Sequence, residues 1–251
     1  MNQEISSTRD RLFNTLEKPQ AFCFNEAVAA VFPDMIARSV PGYTFCLEVI
    51  KDATQLLVQP NSNIYDLGCS SGTITLALRA GVLAAGMENS NVVIHGIDSS
   101  AAMIDRAQAH ISAFQAQVPI TFACQDINET TLNNASIIVL AYTLQFISLE
   151  RRMELIKKIY AGLNYGGGLI LIEKIHEDNL KMQTLITELH HEFKRRNGYS
   201  ELEISQKRQA LENVLITETE SAHLQRFNQA GFKQVSLVAK NYAFAAWLAV
   251  K

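Results

Sequence analysis

No apolar run in this 251-residue sequence reaches the ~18 residues that a membrane-spanning helix requires. The opening stretch Met1-Asn2-Gln3-Glu4-Ile5 has neither the basic nor the apolar region of a secretory signal. Both absences predict a cytoplasmic chain with no membrane contact. Cysteine is scarce: Cys23, Cys46, Cys69 and Cys124 are widely spaced with no C-x-x-C pair, which argues against a disulfide framework or a zinc site. Positive charge is not in excess, since 22 Lys and Arg against 25 Asp and Glu leave a net charge of −3. Such a chain lacks the basic footprint of a nucleic-acid-binding domain. The local run Lys194-Arg195-Arg196 is read as a helix end that complements the macrodipole and faces solvent. A zincin motif is missing too, because Arg195 stands where H-E-x-x-H, opened by His191-Glu192, needs its second histidine. No metal is expected. Internal repeats and low-complexity tracts are absent. What is present is 48% hydrophobic residues, ample for the core of a single domain over 1–251.

Strand and helix signals alternate along the chain as they do in a parallel α/β sheet. Residues 1–60 read as a helical segment, with Val28, Val31 and Phe32 clustered before Pro33, a turn at Ser39–Tyr43, and a helix through Leu47, Ile50, Leu56 and Leu57. Five strands are expected, at Asn63–Leu67, Val92–Asp98, Ile120–Cys124, Ser136–Tyr142 and Leu169–Ile172. Helices are expected at Thr73–Val82, through Met103–Ile111 with Ser99 or Ser100 as cap, and at Leu149–Leu163, which Gly166–Gly168 breaks. From about 177 to 215 the alternation gives way to a helical insertion. Met182, Leu185, Ile186, Leu189 and Phe193 recur at helical spacing up to Asn197-Gly198, and a second helix holds Ile204, Leu211 and Val214. A helix at Ser221–Ala230 and strands at Val235–Val238 and Tyr242–Val250, turning at Lys240-Asn241, add an antiparallel edge. The expected class is α/β: a Rossmann-like class I methyltransferase fold with a mostly parallel seven-stranded sheet, an antiparallel C-terminal strand and a helical insertion.

The first strand ends in Asp66 and runs into Gly68-Cys69-Ser70-Ser71-Gly72. Gly68 and Gly72 can adopt positive φ and leave room for a ligand, and the following helix offers unpaired N–H groups. A dinucleotide fingerprint, G-x-G-x-x-G, has glycine where Ser70 stands. Asp66 would repel a pyrophosphate and attract a cationic amine such as the methionine end of S-adenosylmethionine. Two further acids end the next strands, where such sheets bind ligands. Asp98 suits the ribose, whose two hydroxyls can donate to one carboxylate. Asp126 suits the exocyclic amine of adenine, with the Ile127 N–H on a ring nitrogen. Cys69 reads as packing in a tight turn and Ser70 as a backbone contact.

Several segments together resemble the carboxy-S-adenosyl-L-methionine synthase family. They are Phe32–Ile36, Arg38–Tyr43, Asp66–Ser70, Thr143–Phe146 and, most specifically, the stretch Phe193–Arg208 (FKRRNGYSELEISQKR) within the helical insertion. The similarity runs from about Phe22 to Lys251. Members of that family join S-adenosyl-L-methionine, used as a substrate, to prephenate, giving carboxy-S-adenosyl-L-methionine and phenylpyruvate. The product serves the modification of tRNA wobble uridine to 5-oxyacetyluridine by a partner enzyme. The resemblance implies that Tyr43, Gly68, Cys69, Ser70, Asp98, Ser99, Asp126 and Ile127 contact the S-adenosyl part. It assigns Arg208 to the new carboxylate, a role its planar guanidinium fits. It also implies a homodimer, for which Met182, Leu185, Leu189 and Phe193 form a candidate face, and no direct nucleic-acid contact. Arg38, beside the Tyr43 turn, is a second candidate for offsetting substrate charge. The chain departs from the family in two places. Ala141 replaces the asparagine of Leu-Asn-Phe-Thr-Leu-Gln-Phe, an amide contact worth on the order of 1 kcal/mol. Asn241–Ala246 replaces Cys-Phe-Asn-Phe-Gly-Ser. Two other readings stand beside the synthase: a methyltransferase of another acceptor, and a non-catalytic S-adenosyl-binding module.

Overall fold

The computed structural model describes residues 9–15, 19–114 and 118–251, so the Met1–Ile5 stretch and part of the expected N-terminal helical segment lie outside the described residues. Strands β1 (Asn63–Leu67), β2 (Val93–Asp98), β3 (Ile120–Cys124), β4 (Ala135–Ala141), β5 (Leu163–Lys174), β6 (Gln234–Asn241) and β7 (Phe244–Val250) form one sheet. Its order is β3-β2-β1-β4-β5-β7-β6. The first five strands run parallel, and β7 is antiparallel to both of its neighbours. Chain order reverses between β1 and β4, so the loops leaving these two strands diverge and open a crevice at their carboxyl ends.

Helices cover both faces, which is why β4 is an unbroken apolar run, buried at every position. On one side α5 (Leu149–Gly162) and α8 (Glu220–Ala230) pack Ile156, Ile159 and Phe227 against Leu140, Leu171 and Trp247. On the other, α2 (Tyr43–Leu57) and α3 (Thr73–Ala84) bring Ile50, Leu78 and Val82 onto Ile64, Ile137 and Ile170. A third cluster joins α1 (Glu26–Ser39) to α4 (Ala101–Ser112) through Val28, Met35 and Met103.

Several boundaries differ from those expected. Pro33 lies inside α1, which continues past it to Ser39. Ser100, not Ser99, caps α4, its hydroxyl accepting from Met103 N–H. The glycines Gly166–Gly168 do not precede the fifth strand but form an irregularity within it, where the register against β4 shifts and Gly166 takes φ +76°. Side chains there would strike the neighbouring strand: a Cβ on Gly167 would sit 2.9 Å from Ser136 O. The last hairpin turns at Tyr242-Ala243, two residues later than expected, with Asn241 paired to Phe244 and Tyr242 at φ +52°. The antiparallel strand β7 is also interior, inserted between β5 and the edge strand β6. The insertion consists of α6 (Leu180–Arg196) and α7 (Glu201–Leu211), the latter opened by a Ser200–Glu203 capping box; Val214 falls beyond it.

Candidate active site

The turn after β1 is held in shape from β2. Gly68 and Cys69 donate their N–H groups to Ile97 O at 2.8 and 2.9 Å. Asp98 accepts from Ser70 N–H through Oδ2 and from Ser100 N–H through Oδ1, both at 2.9 Å. One carboxylate thus ties the turn to the start of α4 while Asp98 also lines the crevice. Gly68, Ser70 and Gly72 all have positive φ. Gly68 needs its missing side chain twice over, since a Cβ there would meet Thr143 Oγ1 at 2.2 Å. Gly68→Ala is accordingly expected to destabilise the fold by about 2–4 kcal/mol, measured by urea denaturation, through left-handed backbone strain and the clash with Thr143.

The resulting cleft brings together all eight residues assigned above to the S-adenosyl part. Tyr43 comes from the start of α2; Gly68, Cys69 and Ser70 from the turn; Asp98 and Ser99 from the end of β2; Asp126 and Ile127 from the loop after β3. Asp126 is exposed and engaged: Oδ1 accepts from the Asn128 backbone and side chain, and Oδ2 lies 3.3 Å from Arg151 Nη1. Partial burial would raise its pKa, but the Asn128 and Arg151 hydrogen bonds prevail and hold it below the usual carboxylate value. Burial pushes the Tyr43 phenol up to about 12, and that of Cys69 makes its thiol a far weaker acid than usual. Cys69 is therefore a packing residue, not a nucleophile.

Asp66 sits behind the turn, not in the cleft wall, with 1% of its surface exposed. Its Oδ2 accepts from Thr75 Oγ1 at 2.6 Å, while Oδ1 is buried with no hydrogen-bond partner among the described residues. Burial, reinforced by the nearby Asp98, pushes its pKa up to about 7. An acid left half-satisfied in this way fits a positively charged group on the Tyr43 side of the crevice.

The opposite wall comes from residues that the sequence reading passed over. Phe24, Phe32 and Phe146 form an aromatic edge-to-face chain, with centroids 6.1 and 5.2 Å from Phe24. Tyr142 follows Ala141 with φ +57°, and its hydroxyl is buried beside the Cys46 thiol with no hydrogen bond of normal geometry. Behind this wall Glu173, near the end of β5, accepts from the N–H groups of Thr143, Leu144 and Gln145 at 2.8–3.1 Å. Its signal was the one that marked Asp66 and Asp98, an acid closing an apolar strand.

Two arginines lie outside the lining of the cleft. Arg208 is exposed on α7 and lines a separate outer cavity with Lys174, His191 and Lys194. Arg38 is spent on the fold: it donates to Asn197 O, Gly198 O, Asp10 O and Asp34 Oδ2, and stacks 4.0 Å over the Tyr199 ring. That network locks α1 to the α6–α7 loop and leaves Arg38 no free donor pattern for a substrate carboxylate. The basic run also divides. Arg195 pairs on the surface with Glu192 and Glu201, but Lys194 turns inward instead of facing solvent. Met182, Leu185 and Leu189 are about half exposed, so the α6 stripe is not core. Among the described residues no cluster of His, Cys, Asp or Glu is placed to hold a metal ion, and no helix is long and apolar enough to cross a membrane.

A methyltransferase-domain family model matches residues 64–167, the segment from β1 into β5. A carboxy-S-adenosyl-L-methionine synthase of Idiomarina loihiensis is 51% identical over 230 residues, which span 92% of this chain and 93% of the relative. One of Pasteurella multocida is 46% identical over 245 residues, 97% of this chain and 100% of the relative. The chain belongs to the carboxy-S-adenosyl-L-methionine synthase family. Solved structures agree on the class I methyltransferase fold of this synthase family. An O-methyltransferase family protein from Burkholderia thailandensis superposes with a TM-score of 0.64 at 13% identity, and human N-acetylserotonin methyltransferase in complex with S-adenosylmethionine with 0.56 at 17%. Each match covers 90% of this chain; the chain spans 59% and 55% of those two structures.

Proposed function

We propose that this enzyme converts S-adenosyl-L-methionine and prephenate to carboxy-S-adenosyl-L-methionine and phenylpyruvate, supplying the cytoplasmic modification of tRNA wobble uridine to 5-oxyacetyluridine. The observation that carries this reading is near-full-length identity of 46–51% to synthases of that name. In it, Asp98 accepts the ribose hydroxyls, Asp126 and the Ile127 N–H hold adenine, and Gly68, Cys69, Ser70 and Ser99 shape the floor. Asp66, buried behind the turn, complements the methionine ammonium beside Tyr43 through its charge and not by contact. The whole chain is read as one domain with its helical insertion, and two copies pair through the exposed α6 stripe.

The chemistry asks the protein to position and to exclude water. As prephenate aromatises, the bond from its ring to the ring carboxylate breaks, the carboxylate leaves as carbon dioxide, and the ring hydroxyl departs as hydroxide. Hydroxide removes a proton from the methyl on sulfur, and the resulting ylide carbon bonds to the carbon dioxide. Water would quench the ylide, and the wall of Phe24, Phe32, Phe146 and Ile147 is suited to keep it out. Close placement of the two substrates supplies the remainder of the rate. Arg208 is assigned to the new carboxylate, approaching from the outer cavity.

Purified protein incubated with both substrates is expected to yield carboxy-S-adenosyl-L-methionine by mass spectrometry, with phenylpyruvate in equal amount. Arg208→Ala should lower that yield at least about tenfold, the loss of one charge-assisted contact, with S-adenosylmethionine affinity within about twofold. S-adenosylhomocysteine as the product instead, or binding without turnover, would replace this reading with the methyltransferase or the binding module.

A further inference from the structure

A second cavity adjoins the S-adenosyl cleft, and Phe24, Phe32, Ile36, Tyr142 and Phe146 line both. The two spaces differ sharply in charge. Among the described residues no Lys, Arg or His lines the S-adenosyl cleft, whereas Lys174 at the end of β5, Lys194 and His190 on α6, and Lys207 on α7 converge on the second cavity, which has no acidic residue among the described residues of its lining. Lys207 has partners: its Nζ donates to Ser39 Oγ at 2.9 Å and lies 4.0 Å from Asp10 Oδ2. The ammonium groups of Lys174 and Lys194, both half-buried residues, make no hydrogen bond or ion pair among the described residues. His190 donates from Nε2 to Ser39 O at 2.7 Å and stays neutral, since burial and the neighbouring Lys194 and Lys174 push its pKa down to about 3. Cations drawn partly out of water without counter-charge are disfavoured, and an anionic ligand offsets that cost.

We infer that this cavity is the subsite for the keto-acid carboxylate of the second substrate, bound by Lys174 and Lys194, with the ring held against the aromatic side chains the two cavities share. The inference rests on the prephenate reading and refines it. Prephenate carries two carboxylates with opposite needs. The ring carboxylate leaves as carbon dioxide, a step favoured where it is desolvated and not neutralised, so it belongs on the cation-free side facing the sulfonium. The keto-acid carboxylate is a spectator and gains from ammonium groups. A substrate spanning the shared wall meets both demands and presents carbon dioxide to the methyl group.

Titration is consistent with that geometry. Burial, together with Lys174 and Lys207, pushes Lys194 down to about 7; burial lowers Lys207 to about 8, opposed by Asp10 and reinforced by Arg38; burial and Arg208 lower Lys174. Asp34 and His191 are the other charged or titratable neighbours. Lys194 and Lys207 lose their charge as pH rises through about 7–8, so affinity for the anion is expected to fall across that window.

The test uses the full chain with Lys194→Met and Lys174→Met. Isothermal titration with phenylpyruvate, the keto-acid product, is expected to show at least about tenfold weaker binding in each variant, and KM for prephenate to rise by a similar factor. The Kd for S-adenosylmethionine should stay within about twofold, which also verifies folding, and Lys194→Arg should recover part of the loss and remove the fall in affinity above pH 7. Unchanged phenylpyruvate affinity and unchanged prephenate KM in both methionine variants would overturn the inference. Lysine-dependent keto-acid binding by a wild-type protein that does not turn prephenate over would instead uphold the subsite and overturn the proposed function.

Discussion

Asp98→Ala is expected to weaken S-adenosylmethionine binding by about a hundredfold or more, measured by isothermal titration. Asp98 acts in two ways at once. Its carboxylate accepts from the Ser70 and Ser100 N–H groups, and so sets the distance between the turn after β1 and the first residues of α4. It also lines the cleft, where two ribose hydroxyls would donate to it. Hydrogen bonds to a charged partner contribute about 1.5–3 kcal/mol each, so losing two corresponds to a factor of at least about a hundred. The structural cost is smaller, because Ser100 still caps α4 through Met103 N–H. Asp98→Asn separates the two roles. One amide oxygen can still accept, but the NH2 group then faces a backbone N–H, so both the turn geometry and ribose binding are expected to fall between wild type and alanine. Near-wild-type affinity in Asp98→Ala would remove Asp98 from the ribose site.

The parts of this site that were legible in the sequence are those whose causes are local. Asp66 and Asp98 stand at the ends of strands and Asp126 just after one, and a parallel sheet presents all its strand ends to one crevice. The capping of α4 by a serine needed only the residues around 99–103. What was not legible depended on which way a side chain turns once distant segments pack. Asp66 ends its strand as expected, but the pleat directs it behind the turn to Thr75. Lys194 and Arg195 are neighbours at one helix end, yet the helical period sends the first into a cavity that exists only because α7 packs across α6. Arg38 was placed by its proximity to Tyr43, while its actual partners, Asn197 and Gly198, are distant in sequence. The interior position of β7 is likewise a matter of pairing: the turn at Tyr242-Ala243 is local, but the choice of β5 as a partner is not.

Those long-range contacts make Glu173 the more demanding case. Its two carboxylate oxygens gather the N–H groups of Thr143, Leu144 and Gln145, the backbone that carries the 3-10 turn Leu144–Phe146 and hence the Phe146 wall of both cavities. Glu173→Gln is expected to cost about 1–3 kcal/mol, because the hydroxyl oxygen of the protonated acid can still accept a hydrogen bond whereas an amide NH2 cannot, which leaves at least one of those buried donors unmet. In a chain of this size that corresponds to a fall in melting temperature of roughly 2–4 °C per kcal/mol. Activity should fall further than stability alone explains, since Tyr142 and Phe146 shift with the turn. The pH dependence has a definite sign. Burial pushes Glu173 up to about 8, against the opposing pull of the three N–H donors and Arg152. A pKa above that of the unfolded chain means that the folded state holds a proton the unfolded state has lost. The group's contribution is therefore complete below about pH 4.5 and is lost as pH rises toward 8. Denaturation of wild type and Glu173→Gln at a series of pH values should show their difference greatest in mild acid and shrinking toward pH 8. A difference that grows with pH would mean that Glu173 is ionised throughout and that its three donors, not its burial, set its charge.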